Sequence, residues 1–250
     1  MTLNSHFYQL CDMKKMYLIA MIILSVLFAE AQKAPYQIFN GDTINRVDAK
    51  GLKQGEWRKY YRTDTLYSRT FFINNKPVGV TKTWYESGKI KGIVTFEKSG
   101  LKAHAVSYYE SGKVLAKGNY IDQKKDSTWN FYSENDALKS IENYKNGIAT
   151  GNWKVFFEDG KIAEEKNYLN GKREGIYRQF NADSASTLIF EMNYKNDLED
   201  GVLKLYHLNG KVKETGSYIK GVKEGVWMEY DATGAILKTE IYKNGMLMTK

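Results

Sequence analysis

Three histidines, one cysteine and 29 carboxylates are the side chains of this chain that could carry acid–base, thiol or metal chemistry. His6 lies in an N-terminal leader, and His104 and His207 fall in copies of a repeat about four copies apart, so the spacing predicts no shared metal site or catalytic dyad. Cys11 also lies in the leader, leaving the expected mature chain without thiol chemistry or disulfides. Glu56, Glu174, Asp200 and Glu224 recur beside a small residue in separate copies. A hydrolytic carboxylate pair needs a cleft that raises one pKa, whereas this spacing predicts solvated turn charges or a ladder. No phosphate loop, nucleophile elbow or zinc spacing occurs. The expectation is a non-enzymatic chain with no cofactor and no metal.

Two sets of residues point to binding instead. Trp57, Trp129, Trp153 and Trp227 could stack on a sugar or peptide, or fill the space between packed hairpins. Lys89, Lys113, Lys161 and Lys211 recur at equivalent turns, where a row of ammonium groups would suit an anionic membrane surface or envelope glycan. The net charge of +8 is compatible with such partners, but the lysines are spread along the chain as solvating residues usually are. No nucleic-acid partner is expected.

The elements that position these residues follow from a period of 24. Stepping from Gly55 reaches Gly79, Ala103, Ser127, Gly151 and Gly175, then Gly201 after 26 residues and Gly225 after 24. The two extra residues fall in the polar stretch Asn181 to Ser186, where a turn absorbs an insertion. Five residues after each anchor stands an aromatic: Tyr60, Trp84, Tyr108, Tyr132, Phe156, Phe180, Tyr206 and Tyr230. A further aromatic column runs Phe72, Phe96, Tyr120, Tyr144, Tyr168, Tyr194, Tyr218 and Tyr242. Between them an aliphatic column runs Leu66, Ile90, Val114, Leu138, Ile162, Leu188, Val212 and Ile236. The Trp column, two residues after the anchor, is broken by Thr81, Ala105 and Leu203, with Tyr177 in place of one Trp.

Ser-Gly, Asp-Gly and Asn-Gly pairs at constant phase, such as Asp159-Gly160 and Asn170-Gly171, mark tight turns. Each copy is therefore two short strands joined by turns. A single hairpin is marginal in water, so the copies must stack to bury their aromatics. The predicted fold is all-β: an elongated, twisted antiparallel sheet of about eight consecutive β-hairpin repeats over 55–250, starting near 55, 79, 103, 127, 151, 175, 201 and 225. The Trp column and the first full aromatic column are three residues apart. Either both sheet faces carry aromatics, or a bulge turns one of the columns.

Ahead of the repeats, 32–54 reads as a loose linker (Gln32 to Asn40) and a half-repeat, Ile44 to Lys53, that caps the first edge. Residues 1–31 read as a leader: Lys14 and Lys15, an apolar run from Met16 to Ala29, and the small-x-small site Ala29-Glu30-Ala31. Cleavage is expected after Ala31, with Met13 the expected true start; the alternative is an uncleaved signal anchor.

The repeat resembles the MORN repeat, most closely its variant form in bacterial proteins labelled YwqK-family antitoxins. Gly151-Asn152-Trp153-Lys154-Val155-Phe156-Phe157, with Gly160-Lys161-Ile162 and Tyr168-Leu169-Asn170-Gly171, is the cleanest copy, and Glu224-Gly225-Val226-Trp227-Met228-Glu229-Tyr230 another. The resemblance implies an extended hairpin sheet that contacts proteins, and in some members lipid, with catalysis left to attached domains. The functional expectation is an exported scaffold for another protein, in the periplasm, on the outer membrane or outside the cell. The alternative is a peripheral module for anionic membrane lipid or envelope glycan.

Overall fold

The computed structural model describes residues 36–98, 100–183 and 186–248. The expected leader, its start at Met13 and its cleavage site after Ala31 lie outside the described residues. Among the described residues there is no helix, and all strand pairing is antiparallel. The fold is all-β, a sheet of consecutive hairpins. The chain forms two compact units, the first ending at Gly112 and the second beginning at Lys113.

In the first unit, β1 (Gln37–Phe39) pairs with β2 (Asp42–Ile44), and β3 (Arg46–Val47) leads into the repeats. The stretch expected to be a loose linker thus contains a hairpin from residue 37 onward. It is held by ring contact of Phe39 with Tyr60 at 5.4 Å and by the Arg58 guanidinium over Phe39. The repeat strands are β4 (Lys53–Tyr60), β5 (Leu66–Ile73), β6 (Lys76–Trp84), β7 (Ile90–Phe96) and β8 (Lys102–Tyr108). Asn45 closes the outer edge of β4. Its buried side chain donates to the Arg58 carbonyl at 3.1 Å and accepts from the Arg58 N–H at 2.8 Å, imitating a neighbouring strand.

The second unit continues with β9 (Val114–Ile121), β10 (Lys124–Tyr132), β11 (Leu138–Lys145), β12 (Ile148–Ala149), β13 (Gly151–Phe156), β14 (Ile162–Leu169), β15 (Lys172–Arg173), β16 (Gly175–Phe180), β17 (Leu188–Lys195), β18 (Leu198–Tyr206), β19 (Val212–Ile219), β20 (Val222–Tyr230), β21 (Ile236–Lys243) and β22 (Met246–Leu247).

The small anchor is set by backbone handedness. Gly55, Gly79, Gly175 and Gly225 have φ between 68° and 85°, and a Cβ there would meet nothing within 4 Å. Glycine is needed for the left-handed backbone, not for space. At Ala103, which has no positive φ, β8 pairs with β7 in unbroken register.

Both sheet faces carry aromatics. Trp57 is buried on the inner face beside Phe72, whereas Tyr60 lies on the outer face with Phe39. A bulge does occur at this column: the register shifts just before Tyr60, Trp84, Tyr132, Phe156, Phe180, Tyr206 and Tyr230. The two-residue turns Asn74-Asn75, Asp122-Gln123, Asn146-Gly147, Asn170-Gly171, Asn196-Asp197, Lys220-Gly221 and Asn244-Gly245 have positive φ at both positions, the type I′ geometry suited to strand twist.

Candidate interaction surfaces

The four Trp expected as stacking platforms or fillers are filler: Trp57, Trp129, Trp153 and Trp227 are 4–6% exposed. Their faces are covered by protein and offer no platform. Trp153 sits between Tyr144 and Tyr168, with ring centroids at 5.1 and 4.6 Å, and Trp227 between Tyr218 and Tyr242. Trp129 and Trp153 donate their indole N–H to the carbonyls of Asn119 and Asn143, at 3.0 and 2.9 Å. Trp57 and Trp227 make no such bond.

Cations close over these rings. The Lys53 ammonium lies 4.6 Å from the Trp57 ring, Lys125 4.8 Å from Trp129 and Lys223 3.8 Å from Trp227, and the Arg173 guanidinium 4.0 Å from Tyr194. Burial lowers the pKa of Lys125, against the opposing pull of Glu142.

The mid-repeat lysines do not form a free ammonium row. Lys113 pairs with Asp136 at 3.0 Å, Lys161 with Asp159 at 3.0 Å and with the Asp183 carbonyl at 3.2 Å, and Lys211 donates to the Thr233 carbonyl at 2.7 Å. Only Lys89 of the four stands exposed with no such bond among the described residues. Three of these ammonium groups therefore tie one turn to another. Bonds of the same kind between one repeat and the next are made in the first unit by Tyr61, whose hydroxyl donates to the Trp84 carbonyl, and by Tyr85 to that of Tyr108, and in the second by the His207 imidazole at 2.9 Å from the Tyr230 carbonyl.

The recurrent carboxylates have a job that spacing alone did not disclose. Glu174, Asp200 and Glu224 accept the backbone N–H of Asn196, Lys220 and Asn244, the first residue of the next two-residue turn. Asp126 does the same for Asn146 at 3.3 Å. Burial pushes the Asp126 pKa up, but the Ser127 hydroxyl, that N–H and Lys145 outweigh it and hold the group below the ordinary range. Glu56 instead binds Arg58 and Arg69. The signal was legible as an acid recurring one residue before the anchor. Its target lies about 20 residues on, beyond the reach of local reasoning.

What remains outward is the outer face and the tips of the two-residue turns. On the outer face of the second unit, Lys154, Glu165, Arg178, Glu191 and Lys204 are successive cross-strand partners of alternating sign, with Lys154–Glu165 at 3.2 Å and Arg178–Glu191 at 2.7 Å. In the first unit the same row reads Arg58, Arg69, Lys82, like charges on neighbouring strands. Among the described residues no cluster of His, Cys, Asp or Glu is arranged to hold a metal.

The profile of the MORN repeat variant matches seven stretches: 53–74, 77–98, 103–122, 125–146, 149–170, 199–220 and 223–244. The copy that begins at Gly175 is not matched, yet it folds as the hairpin of β16 and β17. No curated protein matches the chain. Among solved structures, S. aureus TarM aligns at 11% identity over 49% of this chain and 19% of that one, with a TM-score of 0.23. The Photorhabdus luminescens Tc holotoxin pore aligns at 11% identity over 76% of this chain and 13% of that one, TM-score 0.21. A porin-like protein from Bacteroides uniformis aligns at 9% identity over 77% and 86%, TM-score 0.17. The chain spans about a fifth of the length of TarM. The matched stretches cover more than half of the chain, and a repeat array of this kind is a scaffold or binding module. The chain belongs to the MORN repeat variant family.

Proposed function

We propose that this protein is an exported, non-enzymatic interaction scaffold that works in the cell envelope or outside the cell by binding another protein. One observation carries the reading. The repeat-periodic polar groups that could have formed a reactive site are spent on joining one repeat to the next: Glu174, Asp200 and Glu224 on turn N–H groups, and Lys113, Lys161 and Lys211 on neighbouring turns. Side chains used this way build a surface, and surface is what repeat arrays supply. Export is supported by the two lysines, apolar run and small-x-small site ahead of residue 32.

Chemical crosslinking of envelope fractions and culture medium, with the full chain as bait, tests both halves. The expected result is a discrete crosslinked species outside the cytoplasm. A chain found only in the cytoplasm ends the export reading, and turnover of any small molecule by the purified chain ends the non-enzymatic one. The alternative, docking of the Lys89, Lys113, Lys161 and Lys211 row on anionic lipid or glycan, has less support because three of those ammonium groups are already engaged.

A further inference from the structure

The tips of the two-residue turns in the second unit carry an ordered row that folding does not explain. At each tip the two residues flanking the turn are cross-strand partners: Ile121 with Lys124, Lys145 with Ile148, Leu169 with Lys172, Lys195 with Leu198, Ile219 with Val222 and Lys243 with Met246. Four of the six pairs join an aliphatic side chain to a lysine, and a fifth joins a methionine to one. The aliphatics are not core: Ile148 is 51% exposed, Leu169 56%, Leu198 47% and Ile219 55%. Lys124, Lys145, Lys172 and Lys195 are exposed as well.

The order along the row is regular. From β10 to β19, Lys124 and Lys145 stand on the neighbouring strands β10 and β11, Ile148 and Leu169 follow, then Lys172 and Lys195, then Leu198 and Ile219; Val222 ends the alternation where a third lysine pair would begin. At two of these turns the second-position glycine keeps neighbouring tips close; a Cβ at Gly147 would sit 3.4 Å from the Lys124 Cβ, and one at Gly171 3.3 Å from an Ile148 methyl. Two lysines side by side repel, and aliphatics left about half exposed gain only part of what a core side chain gains. Asp126 offsets part of the first pair, at 3.7 Å from Lys145.

Strand spacing converts the row into a ligand. Four spacings of about 4.8 Å place the lysine pairs about 19 Å apart, with aliphatics midway. An extended polypeptide rises about 3.3 Å per residue, so six residues span the same distance. We propose that the tip row of the second unit docks an extended segment of a partner protein in which acidic pairs and aliphatic pairs alternate, their centres three residues apart, so that one side chain of every pair faces the row. This rests on the scaffold reading and names its surface. A fluid lipid headgroup layer has the charge but no fixed alternation, so the regular order favours a polymer.

The test is anisotropy with a labelled peptide of about 18 residues built from Glu-Glu-Gly-Leu-Leu-Gly blocks, against a scrambled peptide of the same composition. The full chain should bind the ordered peptide more tightly than the scrambled one. Lys172→Glu with Lys195→Glu should weaken binding about tenfold or more, and Leu169→Ser with Leu198→Ser several-fold, while Lys161→Glu on the opposite edge leaves it unchanged. Circular dichroism confirms that each variant keeps its fold. Equal binding of the two peptides, an equal loss in Lys161→Glu, or binding only to vesicles rich in phosphatidylserine overturns the proposal. Envelope crosslinking of the same variants separates this failure from a wider one. A partner still captured by Lys172→Glu with Lys195→Glu removes the tip row and leaves the scaffold standing, whereas no partner for the unaltered chain removes both.

Discussion

The second repeat joins the first through Thr81 and Thr70, whose hydroxyls meet at 3.1 Å, and the third joins the second through Ala105 opposite Val94. In the second unit the equivalent joints are Trp129 over Gly118 and Trp227 over Gly216, so close that a Cβ on either glycine would lie 2.3 or 2.1 Å from the indole. Leu203 opposite Met192 is a third solution. Two middle-sized residues or one very large and one absent side chain fill the same gap. What the joints share is a filled space across neighbouring strands, so a break in the Trp column is a change of partner and not a hole.

The largest expected effect breaks the Trp-on-Gly joint from its large side. Trp129→Ala leaves a cavity that Gly118 cannot refill, and should cost about 3–5 kcal/mol. Thr81→Ala removes one methyl and one buried hydrogen bond and should cost about 1–2 kcal/mol. Urea titration of the two variants gives the difference, and equal losses would show that the joints are not distinct in kind.

Breaking the same joint from its small side comes next. Gly118→Ala or Gly216→Ala pushes a methyl into a ring already packed against other rings, Tyr120 and Phe131 for Trp129 and Tyr218 and Tyr242 for Trp227, at a cost of about 1–3 kcal/mol. Gly118→Ala combined with Trp129→Leu should be less damaging than the sum of the single losses, because the smaller side chain makes room. Full additivity in a double-mutant cycle would contradict the shared-space account.

Alkaline pH distinguishes the inner columns of the two units, although burial also raises the pKa of Tyr61 and Tyr67 in the first. The inner aromatic column is Phe72 and Phe96 in the first unit but Tyr120, Tyr144, Tyr168, Tyr194, Tyr218 and Tyr242 in the second. Burial pushes the pKa of Tyr120 well above the usual phenol value, and burial is also the leading cause at Tyr177, Tyr194 and Tyr218. The folded value exceeds the unfolded one, so the protonated phenol stabilises the fold. That stability is complete below about pH 10 and is lost as pH rises through the raised values. Hydrogen exchange read by mass spectrometry should show the second unit opening before the first, and simultaneous opening would refute the assignment.

These contrasts mark where the chain was readable from its residues. The period, the hairpins and their turns were legible because each depends on local geometry: Asn-Gly supplies two positive φ values, and an aromatic every 24 residues must meet its neighbours. The role of Trp129 was open until Gly118 was seen beneath it, since the complement lies on another strand. Glu224 looked like a solvated turn charge because the N–H it holds, that of Asn244, is 20 residues away. The hairpin of β1 and β2 was missed because its strands are only three residues each, too short to show alternation.

The smallest effects test whether backbone handedness is independent of the joints. Gly225 has φ 75° with open space where a Cβ would go, so Gly225→Ala meets no clash and pays only for the left-handed conformation, about 1 kcal/mol. Ala103 occupies the same place in the repeat but lies in regular strand opposite Phe96. There the reverse change, Ala103→Gly, also destabilises, by about 0.5–1 kcal/mol, because glycine loses more freedom on folding and the buried methyl is gone. Losses in both directions at equivalent positions, read from thermal midpoints, would establish that the small anchor is two different residues: a backbone hinge in seven repeats and a packed methyl in the third. A gain in Ala103→Gly would mean that the third repeat also wants the left-handed bend, and that its regular register depends on alanine alone.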